Sequence, residues 1–290
     1  MIRRIVISII LALLPLAARA QAVPFVAILH SSENLAMGGA HIATPDNSPL
    51  SGAIVEIGAD KIYWRRNAIN YNLTNYAARV GILPSLCVGL DVTTNAMEEM
   101  TLYNENGQRM GTTLASELCA ALNVTYAPLP TTVFRLTGKY IRSALTDNDY
   151  ANCPAVDIGG IWKINGQIAV GAAIENLGPD IDYGYGGYPL PATAKVGVYG
   201  RFSLAERHEL EAAVDLGAMP SYATAIASIG TGYTFNDMLA LRLGAHLCSA
   251  GGVLPSYFSA GIFFKSAIFD VGAAYLTASG TYSISARLKL

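Results

Sequence analysis

From Ser85 to the end of the chain, apolar and polar side chains alternate with period two, in segments of about ten residues separated by turn residues. In Ser85–Thr93, Leu86, Val88, Leu90 and Val92 share one face, with Cys87, Gly89 and Asp91 on the other. Ala115–Tyr126 sets Leu118, Ala120, Leu122 and Val124 against Glu117, Cys119, Asn123 and Thr125. Phe134, Leu136 and Tyr140 oppose Arg135, Thr137 and Lys139, and Val156, Ile158 and Trp162 oppose Asp157 and Lys163. Ile164-Asn165-Gly166 then reads as a tight hairpin turn. The return strand carries Ile168, Val170, Ala172 and Ile174 on one side and Glu175 on the other. The plan continues to Leu290, and twelve strands can be read from Ser85 onward.

Upstream, Tyr63–Asn75 and Tyr76–Ile82 add one or two more. Apolar parity switches between them, from Ile69, Tyr71 and Leu73 to Tyr76, Ala78, Val80 and Ile82. The switch predicts a turn or bulge near Asn75. Single-chain bacterial barrels have even strand numbers, so the expectation is fourteen.

The charges decide what kind of sheet this is. Asp91, Glu117, Arg135, Lys139, Asp157, Glu175, Lys195, Arg201, Glu209, Glu211, Asp215, Arg242, Asp270, Arg287 and Lys289 all fall on the polar parity, as does His246. A charge facing lipid at mid-membrane costs about 2–4 kcal/mol, so one face has to stay clean. A soluble sandwich also alternates, but its polar face normally carries more charge than this one, which is mixed with Gly, Ser, Thr and Ala. The pattern predicts an all-β transmembrane antiparallel barrel with Arg135, Lys139, Asp157, Glu175, Arg242 and His246 among its polar lumen groups.

Composition agrees. The chain has 290 residues, 52% hydrophobic and only 14% charged, against about a quarter charged in soluble domains. No apolar run beyond the N-terminus reaches the about 20 residues that a spanning helix needs. Tyr63, Tyr126, Tyr140, Tyr233, Tyr275 and Tyr282 lie near expected strand ends, where interfacial girdles form.

The N-terminus reads as an export signal: Arg3 and Arg4, an apolar run Ile5–Leu16, then Ala18-Arg19-Ala20 as an A-x-A cleavage site. No cysteine follows that site, which excludes a lipoprotein. Taking Arg3, Arg4 and Arg19 from the 19 Lys and Arg leaves a clear excess of acid over the mature chain (21 Asp and Glu), which argues against nucleic acid as a partner. Cys87, Cys119, Cys153 and Cys248 lack C-x-x-C spacing, so zinc and redox motifs are absent; tucked thiols and disulfides both remain open.

Between signal and strands, Glu33–Asp60 has neither period. It contains Leu35-Ala36-Met37-Gly38-Gly39-Ala40 and Pro45-Asp46-Asn47-Ser48-Pro49, whose paired glycines and prolines predict a fixed, irregular path. The division expected is a signal peptide at 1–20, a plug segment at 21–60 and a barrel at 61–290. The plug motif is Met37, Gly38, Gly39, Ala40, Asp46, Asn47 and Pro49. The two longest later interruptions are Thr94–Thr112 and Gly178–Leu190; the second, rich in Gly and Tyr, reads as a mobile extracellular loop.

Four stretches resemble the PorV/PorQ-like outer-membrane proteins, which are related to the FadL hydrophobic-compound transporters. They are Met37-Gly38-Gly39-Ala40 with Ala43 and Asp46; Asn104-Glu105-Asn106-Gly107 with Gly111; Gly138-Lys139-Tyr140-Ile141-Arg142-Ser143; and Asn176-Leu177-Gly178 with Pro189-Leu190-Pro191 and Gly197. Where that family writes W-N-P-A, this chain has Asn47 and Pro49 separated by Ser48, and it ends in Leu290 rather than Phe. The resemblance implies an outer-membrane barrel, embedded in membrane lipid, serving type IX secretion or surface attachment of secreted cargo proteins. The alternative is a FadL-like channel for a small hydrophobic ligand. An enzyme is not expected: His30, His41, His208 and His246 lie in no metal or nucleophile motif, and neither cofactor nor metal is implied.

Overall fold

An alternating sheet with one lipid-compatible face leaves no exposed edge only when it closes on itself. The computed structural model shows that closure; it describes residues 23–45, 54–66, 69–97, 99–146, 149–184, 186–249 and 254–290. The expected signal peptide lies outside the described residues, as do Asp46, Asn47 and Pro49.

The strands are β1 (Val55–Arg66), β2 (Ile69–Leu83), β3 (Leu86–Met97), β4 (Met100–Tyr103), β5 (Arg109–Thr113), β6 (Ser116–Leu129), β7 (Thr132–Ala144), β8 (Tyr150–Lys163) and β9 (Ile168–Leu177). They continue as β10 (Ile181–Asp182), β11 (Gly187–Tyr188), β12 (Thr193–Ala205), β13 (His208–Met219), β14 (Thr224–Phe235), β15 (Leu239–Cys248), β16 (Tyr257–Lys265), β17 (Phe269–Leu276) and β18 (Thr281–Lys289). Fourteen of them form one closed antiparallel barrel; β4–β5 and β10–β11 are small hairpins outside it. Closure is made by β1 against β18, in register from Glu56 opposite Lys289 to Tyr63 opposite Tyr282.

The twelve barrel strands expected after Ser85 are those from β3 on, and β1 and β2 complete the fourteen. The outward faces are apolar around the whole circumference. Leu122, Ile158, Val196, Leu243, Ile262 and Ile284 are each more than half exposed, a burden that only a lipid surrounding relieves. The charges assigned to the polar parity face the lumen. Short turns at 84–85, 130–131, 164–167, 206–207, 236–238 and 266–268 share one end with the start of β1 and the end of β18. Longer connections, among them 98–115 and 178–192, occupy the other, which is therefore the outer end.

Three expectations need correction. No turn or bulge occurs at Asn75: β2 runs through it, paired with Asp60 on one side and Thr93 on the other. Parity does not switch there; the inner face becomes apolar. Tyr71 and Leu73 point inward beside Ile62 and Trp64, into an apolar cluster that fills the outer lumen. The barrel also starts at Val55, six residues before the expected boundary, and that first strand interrupts the stretch read as aperiodic. Connection 178–192 is not a free loop. Ile181 is fully buried, Leu190 nearly so, and Tyr222 donates a 2.5 Å hydrogen bond to the Pro189 carbonyl. All four cysteines are free thiols.

Candidate functional site

Residues 23–45 run through the barrel interior from the outer end inward. A 3-10 turn at Pro24–Ala27 is followed by a short helix, α1 (Ser32–Ala36), which packs against β15, β16 and β17. Ser31 caps α1 by accepting from the Asn34 amide.

Polar groups of the wall satisfy this segment's backbone. Ser32 donates from its amide and hydroxyl to Asp60 Oδ1, at 3.2 and 3.3 Å. The Gly38 amide donates to Ser259 Oγ at 3.1 Å, and Ser259 donates in turn to the Ala36 carbonyl at 2.9 Å. The amides of His41 and Ile42 both donate to Asp215 Oδ2, at 2.7 and 3.1 Å. Irregular backbone survives inside a barrel only on such terms.

Steric fit completes the seat. Gly38 has φ +67°, a left-handed conformation that glycine adopts without strain. Its neighbours reach the wall where the wall has no side chain: a Cβ on Gly244 would lie 2.7 Å from the Gly38 Cα, and one on Gly230 would lie 2.8 Å from the Met37 Cα. Met37 and Ala40 are buried.

Charge fixes the helix. The Glu33 carboxylate receives Arg242 Nη1 at 2.5 Å and Lys265 Nζ at 2.9 Å, with Arg287 Nη1 at 3.7 Å. Burial pushes its carboxyl up, but the combined pull of Arg242, Lys265 and Arg287 outweighs it and holds the group at about 2. Arg242 also donates to Glu211 at 2.8 Å, and Glu211 accepts from the Tyr199 hydroxyl at 3.0 Å. His41 Nε2 sits 3.2 Å from Glu175 Oε1, whose other oxygen receives Lys195 Nζ at 2.8 Å. His30 is held neutral, its pKa lowered to about 4 by burial and by nearby Lys139.

At the outer end the segment is apolar. Val23, Phe25, Val26, Ile28 and Leu35 pack with Ile62, Trp64 and Leu73 of β1 and β2, Ile141 of β7, and Ile181 and Leu190 of the outer connection. Tyr71, Tyr183, Tyr188 and Leu254 border the cluster. Asn176 ties these parts together. It sits in β9 at φ +58°, where the β8–β9 register slips by a bulge. Its amide group donates to the carbonyls of Val26 and Pro191, both at 3.4 Å, and its Oδ1 accepts from Lys139 at 2.7 Å.

Beneath the cluster lies a cavity of about 1460 Å³ that extends toward the short-turn end, where Gln167, Lys265 and Lys289 line it. Toward β2, β3, β6, β7 and β8 its wall carries Asn75, Asp91, Asn123, Lys139 and Asp157. These groups satisfy one another: Lys139 pairs with Asp157 at 2.7 Å, and Asn123 links Asp91 to Thr137.

Of the residues singled out in sequence, Met37, Gly38 and Gly39 meet the wall on the β14–β16 side, and Ala40 is buried in a cluster with Val133, Ile161, Ala169, Tyr199 and Ala213. Arg242 and Glu175 join the ion network around the segment, and Lys139 and Asp157 pair between neighbouring strands of the cavity wall. Arg135 faces the lumen between β6 and β8, and His246 bonds Ser228 at 3.0 Å while its ring stacks on Tyr257. Sequence reasoning missed Glu33, His41, Asp60 and Asp215 as the anchors. The available signal was acid and imidazole inside an otherwise apolar, glycine-containing stretch. Among the described residues no cluster of His, Cys, Asp and Glu has metal-binding geometry.

An outward apolar wall, an inward charged wall and an occupied lumen define an outer-membrane β-barrel. Its fold is that of FadL-type barrels. The toluene transporter TodX of Pseudomonas putida superposes with a TM-score of 0.60 at 13% identity, covering 93% of this chain and 98% of that one. A FadL homologue of Pseudomonas aeruginosa superposes at 0.50 and 10% identity, covering 89% and 98%. A TodX variant described as a monoaromatic hydrocarbon channel gives 0.53 at 12%, covering 80% and 88%. No protein-family model and no curated protein matches the chain. The PorV/PorQ resemblance is therefore without support beyond its motifs.

Proposed function

We propose that the protein is an outer-membrane channel for small hydrophobic compounds, exported by the signal at 1–20. The observation that carries this reading is the apolar cluster at the outer mouth, built jointly by the N-terminal segment, β1, β2, β7 and the connection 178–192. An apolar solute enters such a cluster favourably, at about 25 cal/mol per Å² of apolar surface removed from water. Charged walls below oppose its further descent, so release is lateral, into the bilayer. The likeness to TodX and to a FadL homologue agrees with this, as a likeness of fold.

The secretion reading rests on the four sequence motifs alone. One experiment separates the two: a deletion strain assayed for uptake of monoaromatic hydrocarbons and, in parallel, for surface delivery of cargo bearing C-terminal secretion signals. The channel reading expects slowed uptake with delivery intact. Unchanged uptake would sink it, and lost delivery would restore the secretion role.

A further inference from the structure

In the barrel strands, among residues whose side chains are described, two charged side chains face outward, and both are cations. Lys61 of β1 lies on the outward parity with Tyr63, opposite Thr74 of β2 and Ile284 of β18. Its Nζ donates to Thr74 Oγ1 at 2.9 Å and lies 5.4 Å from the Tyr63 ring centre. Tyr63 stacks on Tyr282 at 4.5 Å. Arg142 of β7 lies outward beyond Phe134, Leu136 and Tyr140, its guanidinium 4.5 Å from the Tyr150 ring centre. Beside it the Tyr140 hydroxyl donates to Asn152 Oδ1 at 2.8 Å.

Both cations lie in the outer half of the wall, on one row of cross-strand partners that runs Lys61, Thr74, Thr94, Leu118, Arg142. Going outward along β2, the exposed face runs Ile82, Val80, Ala78, Tyr76 and then turns polar at Thr74, the partner of Lys61. On β8 it runs Trp162, Ile158, Val156, Pro154 and turns polar at Asn152, the partner of Arg142. At the short-turn edge the outward face carries the His208–Tyr233–Phe235 group and no Lys or Arg among the described barrel-strand residues. Among the described barrel-strand side chains the outward charge is thus one-signed and lies in the outer half of the wall.

We infer that Lys61 and Arg142, each with its tyrosines and a neutral polar partner, are two contact sites for the phosphate groups of a phosphorylated glycolipid in the outer leaflet. A cation on the lipid-facing wall has lipid headgroups as its neighbours, and the long side chains reach outward to the headgroup level. The cation meets phosphate charge; Tyr63, Tyr140, Thr74 and Asn152 supply groups that bond sugar hydroxyls. Among the described barrel-strand side chains the outward face carries two cations and no carboxylate, for which a neutral or zwitterionic leaflet gives no reason. The inference is independent of what the lumen carries.

The test uses the full-length protein in mild detergent and reads the temperature at which heating abolishes the folded gel mobility. The probes are bis-phosphorylated lipid A, the same glycolipid with its phosphates removed, and phosphatidylglycerol. The expected result is an upward shift with lipid A that the dephosphorylated form does not give. Lys61→Gln combined with Arg142→Gln should abolish that shift, whereas Lys61→Arg with Arg142→Lys should keep it. An equal shift in the glutamine variant, or no shift in the natural protein, would overturn the two sites. An equal shift from phosphatidylglycerol would overturn the glycolipid assignment. Should the glutamine pair fail to assemble, the single variants, each expected to lose part of the shift, decide the matter.

Discussion

Glu33→Gln is the sharpest perturbation of the N-terminal segment, because it removes one charge and keeps the side-chain shape. The carboxylate is almost fully buried and holds Arg242 at 2.5 Å, Lys265 at 2.9 Å and Arg287 at 3.7 Å. Removing one partner of a buried ion pair costs about 3–5 kcal/mol, since the other charge stays behind without compensation. Here the loss falls at the lower end. Arg242 retains Glu211 at 2.8 Å, and Lys265 is partly exposed and can regain water. About 3 kcal/mol is roughly a 100-fold change in the ratio of docked to undocked segment. The amides of Gly38, His41 and Ile42 report it directly, because Ser259 and Asp215 accept their hydrogens only in the docked state. Hydrogen exchange at 37–42 should accelerate about 100-fold in Glu33→Gln, with the β6–β8 ladder unchanged. Unchanged exchange at 37–42 would refute the anchoring role. Acceleration spread evenly over the barrel would refute it too, because that is loss of global stability rather than undocking.

Gly244→Leu should leave the barrel closed but unseat the segment, since a Cβ there meets Gly38; ionic conductance in planar bilayers should rise, and a conductance equal to the natural protein's would contradict the seat. Acidification should loosen the outer part of the segment. His30 is held near 4, below its undocked value of 6.5, so docking is unaffected above pH 6.5 and weakens progressively as pH falls toward 4, by about 3 kcal/mol in all. Glu33 contributes nothing in most of that window, because its depressed carboxyl loses its stabilisation only as pH falls from about 4.5 toward 2. Exchange at 24–30, corrected for intrinsic rates, should follow the His30 curve and flatten in His30→Gln. Asn176→Ala should lower the temperature of folded gel mobility, losing about 1–3 kcal/mol from three broken hydrogen bonds and a strained φ; Asn176→Gly should recover the backbone part alone.

The barrel was legible because its lipid face leaves little freedom: over the membrane span of each strand every second residue is apolar, and the lumen charges keep the opposite parity. That rule failed at β2, where it was applied to a wall whose inner face is also apolar. Leu73 lies in the same cluster as Phe25, with Tyr71 at its border, and nothing local to β2 announces a partner about fifty residues earlier. The same cause hid the packing of 178–192. Its glycines and tyrosines read as loop, while Ile181 and Leu190, the residues that bury it, were two apolar positions without a period. Of the site, the glycine pair at 38–39 was legible through its backbone requirement. The anchors Glu33 and Asp215 were not, because each is defined by groups brought to it across the lumen.

The two ends of the segment are held by different forces, and on the proposed channel function that decides where an apolar solute would act. From Ser32 to Ile42 polar anchors are added to apolar burial: the Glu33 cluster, Asp60 on Ser32, Ser259 on Gly38, Asp215 on two successive amides. A hydrocarbon offers none of these groups a partner, so displacing α1 leaves a charge or an amide unsatisfied at a cost of several kcal/mol. From Val23 to Ile28 the hold is apolar, apart from one hydrogen bond from Asn176 to the Val26 carbonyl. Burying a phenylalanine side chain is worth about 2–3 kcal/mol, and a monoaromatic ring in the same place recovers much of that. On the proposed channel function, solute and Phe25 would therefore be near-equal competitors for one cluster, whereas solute and Glu33 would not compete at all. On the proposed channel function the outer turn is the part expected to yield to a solute, and α1 the part expected to stay docked.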